Sequence, residues 1–190
     1  MVKPGARALG IAESARGDRS TFAGAVVRAD RVVDGFAFRS CPVGGRHATD
    51  AVGALVDDLA REDVRYLFLG AIAPAWYDFL DLEAITSTAD RPTIAVTFEE
   101  SEGLEPSLRE AFSGAELEER LDAYRSLPPR HERRVNGERV YVRSVGIDDE
   151  EAGGVVEAYT PTGGRPEPLR VARLAARAGD AYRLRGKENG

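Results

Sequence analysis

Lysine is almost absent from this sequence. Of its 26 basic residues only Lys3 and Lys187 are lysines, and these 26 face 32 acidic residues for a net charge of −6. An acidic, lysine-poor chain rich in Arg, Ala and Gly is the composition expected of a salt-loving (halophilic) organism with a GC-rich genome, where carboxylates keep a protein surface hydrated. At molar salt the screening length falls to about 3 Å and attraction to phosphate through counterion release largely vanishes. A nucleic-acid partner would then have to be held by short-range contacts. Cysteine is scarcer still: the lone Cys41 can form no internal disulfide, and no Cys/His cluster has the spacing of a zinc site. Long apolar runs are missing too. The longest nearly apolar stretch, Tyr66 to Tyr77, is broken by Gly70 and Pro74 and falls short of the ~18 residues a membrane span needs. The opening Met1-Val2-Lys3-Pro4-Gly5 lacks the apolar segment of a secretory signal. The expectation is a soluble, cytoplasmic protein with no membrane contact. With 190 residues, 43% hydrophobic, and no repeat of solenoid length, residues 1–190 fit one globular domain with an adequate core.

The pattern of what is present changes along the chain. Arg7 to Glu13, Thr21 to Arg28 and Val32 to Arg39 read as strands, with a polar turn at Ser14 to Asp18 and a short link at Asp30-Arg31. Short links favour an antiparallel meander. Thr49 can then cap a helix carrying Val52, Leu55, Val56 and Leu59 at helical spacing, with Asp50 suited to its first turn. Val64 to Leu69 is an apolar run apart from Arg65, as expected of a central strand buried on both faces. Trp76 to Thr86 reads as a second helix and Thr93 to Phe98 as another buried strand. Glu99 to Glu119 is strongly acidic, with helical segments at Glu105 to Phe112 and Ala115 to Ser126, and Pro128-Pro129 ends the second. Asn136-Gly137 marks a hairpin turn between Arg-rich strands, and Asp148 caps a helix with Val155, Val156 and Tyr159.

The densest stretch is Gly163 to Ala178. Glu167 is placed to cap a helix with Pro168 at its first position, where the missing N–H is no loss. Val171, Leu174, Ala175 and Ala178 form one stripe and Arg170, Arg173 and Arg177 a neighbouring one. This is either a packing helix with a solvated arginine edge or a helix that presents guanidinium groups to a ligand.

Arg165-Pro166-Glu167-Pro168-Leu169-Arg170-Val171-Ala172, near the C-terminus after an Arg-rich hairpin, resembles the final helix of the archaeal endonuclease dU family, relatives of endonuclease V with a ribonuclease H-like fold. Leu9-Gly10-Ile11 followed by an acidic residue resembles the family's first strand. The resemblance implies an α/β, ribonuclease H-like mixed sheet: three antiparallel strands, then helix–strand–helix–strand, with C-terminal helices and a hairpin. It also implies magnesium-dependent cleavage of DNA at deaminated bases such as uracil, through carboxylates that hold the metal.

The positions that should carry those carboxylates are altered. The residue after the first-strand Gly-Ile is Ala12, with Glu13 one residue later and, by strand alternation, on the opposite face. The family's Asp after the fourth strand corresponds to Gly70, and the His or Asp of the last helix to Arg173. Asp50 matches a family acid, whereas His47 stands where another acid is expected. Three readings follow. A rearranged nuclease would use Glu13 and Asp50 as catalytic and metal-binding residues, with Asp78 or Asp81, though each of these also reads as a cap or surface acid. A catalytically silent binding module would grip nucleic acid or protein with Arg165, Arg170, Arg173 and Arg177, extended by Arg130, His131, Arg133, Arg134, Arg139, Tyr141 and Arg143. The hairpin arginines could equally pair with the acidic Glu99 to Glu119 segment. An unrelated enzyme on the same fold would use His47 or Cys41, residues that without a visible partner are usually structural.

Overall fold

The structure, a computed structural model, describes residues 1–100 and 103–188. Ser101 and Glu102 of the acidic segment thus lie outside the described residues. Strands β1 (Arg7–Arg16), β2 (Arg19–Arg28) and β3 (Val33–Pro42) form the expected antiparallel meander. The first turn is tighter than expected: the strands run on to Arg16 and Gly17 takes the left-handed φ of 67° that the turn requires. Helix α1 (Ala48–Leu59) leads to β4 (Val64–Leu69), parallel to β1. A single turn, α2 (Pro74–Tyr77), and helix α3 (Leu82–Ala89) precede β5 (Thr93–Thr97), parallel to β4. Helices α4 (Glu105–Ala111) and α5 (Gly114–Arg125) cross to the hairpin β6 (His131–Val135) and β7 (Glu138–Val145), followed by α6 (Asp149–Ala158) and α7 (Glu167–Glu188).

The sheet order is β3-β2-β1-β4-β5-β7-β6, which puts the apolar run of β4 fourth of seven strands, between β1 and β5. The hairpin extends this sheet, because β7 pairs antiparallel with β5. Its turn follows the sequence signal: Asn136 and Gly137 have φ of 51° and 84°, the left-handed pair that matches strand twist. One face of the sheet packs α1 and α3 through Val52, Leu55, Leu82 and Ile85 against Leu9, Ile11, Leu67 and Leu69. The other packs α6 and α7 through Val155, Tyr159 and Leu169 against Phe68, Ile94 and Val96.

Two expectations are corrected. The helix expected from Trp76 to Thr86 is instead α2, in which Ala75, Trp76 and Tyr77 all have positive φ (49°, 66°, 57°), and then α3, started by Asp81, whose side chain accepts from Ala84 N at 2.9 Å. Left-handed backbone costs about 1–2 kcal/mol per non-glycine residue, so three in succession persist only where surrounding contacts determine them. In α7 the buried line is Leu169, Ala172, Ala176 and Asp180, not the stripe containing Leu174, which is 55% exposed. Alanines on several sides left the stripe ambiguous, and contact with β1 decides it: a Cβ on Gly10 would lie 2.2 Å from the Pro168 carbonyl carbon. The helix also starts one residue early, since Arg170 N donates to Pro166 O at 3.0 Å, which puts the cap at Pro166 and Pro168 at the second position.

Candidate functional site

Side chains alternate along β1, and this separates two neighbours. Ala12 faces α7, packing with Ala25, Val27 and Ala172, while Glu13 faces the α1 side. At the end of the adjacent β4, Gly70 N donates to Ile11 O at 3.0 Å. A Cβ on Gly70 would sit 3.8 Å from the Ala12 Cβ and 3.5 Å from Leu169, so the two positions adjoin on the α7 face. Arg173, one turn beyond Leu169 on α7, lines the same open cleft as Gly70. Ala12 thus adjoins Gly70, and Arg173 shares the cleft with Gly70.

The cleft has a volume of about 450 Å³ and is lined by Gly70, Thr97, Arg130, Arg143, Arg165 and Arg173 around the carboxyl ends of β4 and β5. Among the described residues Glu99 is the only acidic residue that lines it. Three of these guanidinium groups have rings or backbone carbonyls against them. Arg165 lies over the Phe98 ring at 3.8 Å and Arg130 over Tyr141 at 3.6 Å. Arg130 also donates to Glu99 O at 2.8 Å, and Arg143 to Pro128 O. The arginines crowd one another: burial, then the charges of Arg173 and Arg177, push the Arg165 pKa down. Burial, reinforced by Arg130, does the same to Arg143. Arg165, Arg173 and Arg177 have no carboxylate partner among the described residues. Mutually repelling cations in a concave site, with Arg165 and Arg173 lacking a carboxylate partner among the described residues, favour an anion, and planar guanidinium groups suit phosphate oxygens.

The other expected residues are placed elsewhere. Glu13 Oε2 accepts from Ala75 N and from Ser20 Oγ, both at 2.8 Å, and so anchors the left-handed turn. Asp50 is exposed in the first turn of α1. Asp78 is 4% exposed and accepts from His47 N and Ala48 N at 2.8 Å each, closing the start of α1 where Thr49 was expected to cap it. Arg170 is engaged by a two-bond pair with Glu167 (2.7 and 2.6 Å) on the helix exterior, and Arg177 lies beyond the cleft wall. Of the hairpin cations, Arg139 pairs with Glu100 of the acidic segment, as that alternative expected, and also with Glu132 of its own hairpin, while His131 pairs with Asp149 of α6 at 2.9 Å, outside the acidic segment. Cys41 is buried, and burial, followed by Asp78 and Glu13, raises its thiol pKa to about 11. Arg120 was missed because its Glu116 partner at i−4 looks like an ordinary surface pair. It is 5% exposed, donates to Tyr77 O at 2.5 Å and covers the Phe112 ring at 4.2 Å.

The profile of the endonuclease dU family matches residues 4–179. The chain belongs to the endonuclease dU family. Relatives include a UPF0215 protein of Pyrobaculum aerophilum, 35% identical over 84% of this chain and 85% of its own, and one of Thermococcus kodakarensis, 31% identical over 93% of both. Among solved structures, a protein of unknown function from Archaeoglobus fulgidus superposes with a TM-score of 0.80 at 24% identity, over 90% of this chain and 96% of its own. Ciona intestinalis endonuclease V, in complex with an inosine-containing DNA, superposes with a TM-score of 0.59 at 11% identity, over 93% and 86%. The fold is thus the ribonuclease H-like fold of endonuclease V, and family and fold together support a nuclease-like function.

The magnesium that the resemblance implies does not fit the residues present. Among the described residues no three His, Cys, Asp or Glu side chains are grouped to hold a metal ion. The three positions offer a methyl group at Ala12, no side chain at Gly70 and a guanidinium at Arg173. Glu13 points away from them, with its Oε2 oxygen already bonded to Ser20 and Ala75. A hard dication needs several oxygens at one point, and a fixed cation there opposes it.

Proposed function

We propose that this endonuclease dU family member binds nucleic acid by its phosphate backbone in the cleft between β4, β5 and α7, with Arg143, Arg165 and Arg173 as the contacting cations. Binding proceeds without hydrolysis by a carboxylate-held metal at that place. The observation that supports this reading is the lining of the cleft: Arg130, Arg143, Arg165 and Arg173 surround it beside Gly70, with Glu99 the one acidic residue among the described lining residues. In a protein of net charge −6, a local concentration of arginine, of which Arg165 and Arg173 have no carboxylate partner among the described residues, is the part of the surface suited to phosphate.

Family membership supports a second reading, cleavage of DNA beside deaminated bases such as uracil with magnesium, using Glu13 and Asp50 after rearrangement. That reading would place the protein in cytoplasmic DNA repair. Both readings put nucleic acid at the cleft and they part on hydrolysis.

The test is fluorescence anisotropy with a labelled oligonucleotide across a salt series, paired with a nicking assay on uracil-containing, inosine-containing and undamaged DNA with magnesium. Each of Arg165→Ala and Arg173→Ala should weaken binding and lower the salt slope by about one. Unchanged binding in the double variant would overturn the cleft assignment. Wild-type nicking that Glu13→Gln abolishes would select the second reading.

A further inference from the structure

The left-handed turn at Ala75–Tyr77 has no part in the reading above, yet the structure invests heavily in holding it. Its first residue is fixed by Glu13, through Ala75 N, and by Gly44, whose N–H donates to Ala75 O at 2.8 Å. Its last residue is fixed by buried Arg120, through Tyr77 O, and its exit by Asp78 N donating to Pro74 O at 3.0 Å. Tyr77 packs edge-on against Phe112, with ring centres 5.8 Å apart. Between these anchors stands Trp76, the only tryptophan of the chain, 59% exposed. Tyr77 meets it edge-on at 5.4 Å and 74°, which limits the orientations open to the indole. A merely apolar filler would be buried. A large flat ring kept in water by a strained and over-determined backbone is prepared for a contact outside the chain.

Position identifies the partner. The turn continues directly from residues 70–73, which form one wall of the arginine cleft. Only Pro74 and Ala75 separate Ala73 from Trp76, three Cα-to-Cα steps with a reach of at most about 11 Å. We propose that Trp76 is a stacking platform for an unpaired nucleobase whose neighbouring phosphates lie in the arginine cleft. This rests on nucleic acid occupying that cleft. An aromatic face beside a cationic groove is the arrangement that binds single-stranded segments, because every base has a π-face while the groove follows the backbone. On this account Glu13, Asp78 and Arg120 are positioning residues that act through the turn.

Being the sole tryptophan, Trp76 reports on itself. Its fluorescence should be quenched by a thymidine homopolymer and not by an abasic chain of the same length bound to the same protein. Trp76→Ala, at an exposed position that leaves the anchors in place, should weaken homopolymer binding about tenfold and leave abasic binding unchanged, with Trp76→Phe in between. Equal affinities of wild type and Trp76→Ala for the homopolymer, while Arg165→Ala and Arg173→Ala still reduce binding, would overturn the platform and leave the cleft standing. If neither probe binds, or the arginine variants bind both as wild type does, the cleft assignment fails and the platform with it. Circular dichroism of each variant establishes that the fold is kept.

Discussion

Ala12 and Glu13 are consecutive on β1, yet the regions they open onto treat charge in opposite ways. On the α1 side the carboxylates are committed: Glu13 to Ala75 N and Ser20, Asp78 to the first N–H groups of α1. On the α7 side Arg130, Arg143 and Arg165 of the cleft have rings or carbonyls against them, and Arg165 and Arg173 have no carboxylate partner among the described residues. Satisfied charges hold a backbone in place. Unsatisfied like charges, which weaken the fold by repulsion, are retained for something that arrives from outside. The difference supports an architectural role for the acids, which a nuclease lineage would lead one to call catalytic, and the proposed ligand contact by the arginines.

The largest effect expected is on stability, from the committed side. Glu13→Ala removes a carboxylate that accepts two hydrogen bonds and leaves Ala75 N without its acceptor; with hydrogen bonds to charged groups worth about 1.5–3 kcal/mol each, the loss should be about 3 kcal/mol. A shift of the urea midpoint at unchanged slope measures it. A loss below about 0.5 kcal/mol would show Glu13 to be dispensable to the turn and would return it to the catalytic candidates.

On the cleft side the effect should move from stability to affinity. Arg173→Ala should weaken oligonucleotide binding about tenfold while stability stays within about 0.5 kcal/mol or rises, since a repelling charge has gone. Arg170→Ala, which breaks the exposed pair with Glu167, should alter stability by less than about 1 kcal/mol and affinity not at all. If the two variants lose affinity equally, the cleft is not the locus and the arginines of α7 act as a general basic surface.

The effect that is smallest at neutral pH, being confined to alkaline solution, concerns Cys41, whose thiol is held near pKa 11 by burial first and by Asp78 and Glu13 next, against an ordinary value of 9.0. A folded pKa raised above the unfolded one gives stability that is complete below the unfolded pKa and is lost as pH rises through the folded one. Stability should therefore decline from about pH 9 to about pH 11, and Cys41→Ala should flatten that part of the profile. The same burial predicts slow alkylation of the native thiol at neutral pH, against fast alkylation in urea.

How much of this was legible depended on how local the cause was. The bounds of β4 were read correctly as Val64 to Leu69, because Leu67, Phe68 and Leu69 are buried on both faces and write themselves as apolar residues, with exposed Arg65 the one charged interruption near its start. Alternation placed Glu13 opposite Ala12, and the Asn-Gly pair placed the hairpin turn, for similarly local reasons. The inward line of α7 was not legible, because alanines recur around the helix and the choice is made by Gly10 on another element. The turn at Ala75–Tyr77 was read as helix, since nothing in the chemistry of Ala-Trp-Tyr asks for positive φ. Its causes are Glu13, Gly44 and Arg120, as far as 62 residues away in sequence. The cleft was half legible: Arg165 and Arg173 were identified from the helix motif, while Arg170 was counted with them because sequence spacing does not show that Glu167 holds it.

The central claim is that arginine has replaced a metal-binding set at Ala12, Gly70 and Arg173, and magnesium calorimetry tests it most directly. The wild type should show no specific magnesium binding at this place. The variant Ala12→Asp, Gly70→Asp, Arg173→His should bind magnesium and begin to nick uracil-containing DNA, with each single change doing little. Gly70→Asp is permitted by the backbone: Gly70 is not among the residues with positive φ, and an added Cβ meets nothing nearer than 3.5 Å. Sub-millimolar magnesium binding by the wild type, lost on Glu13→Gln, would contradict the account.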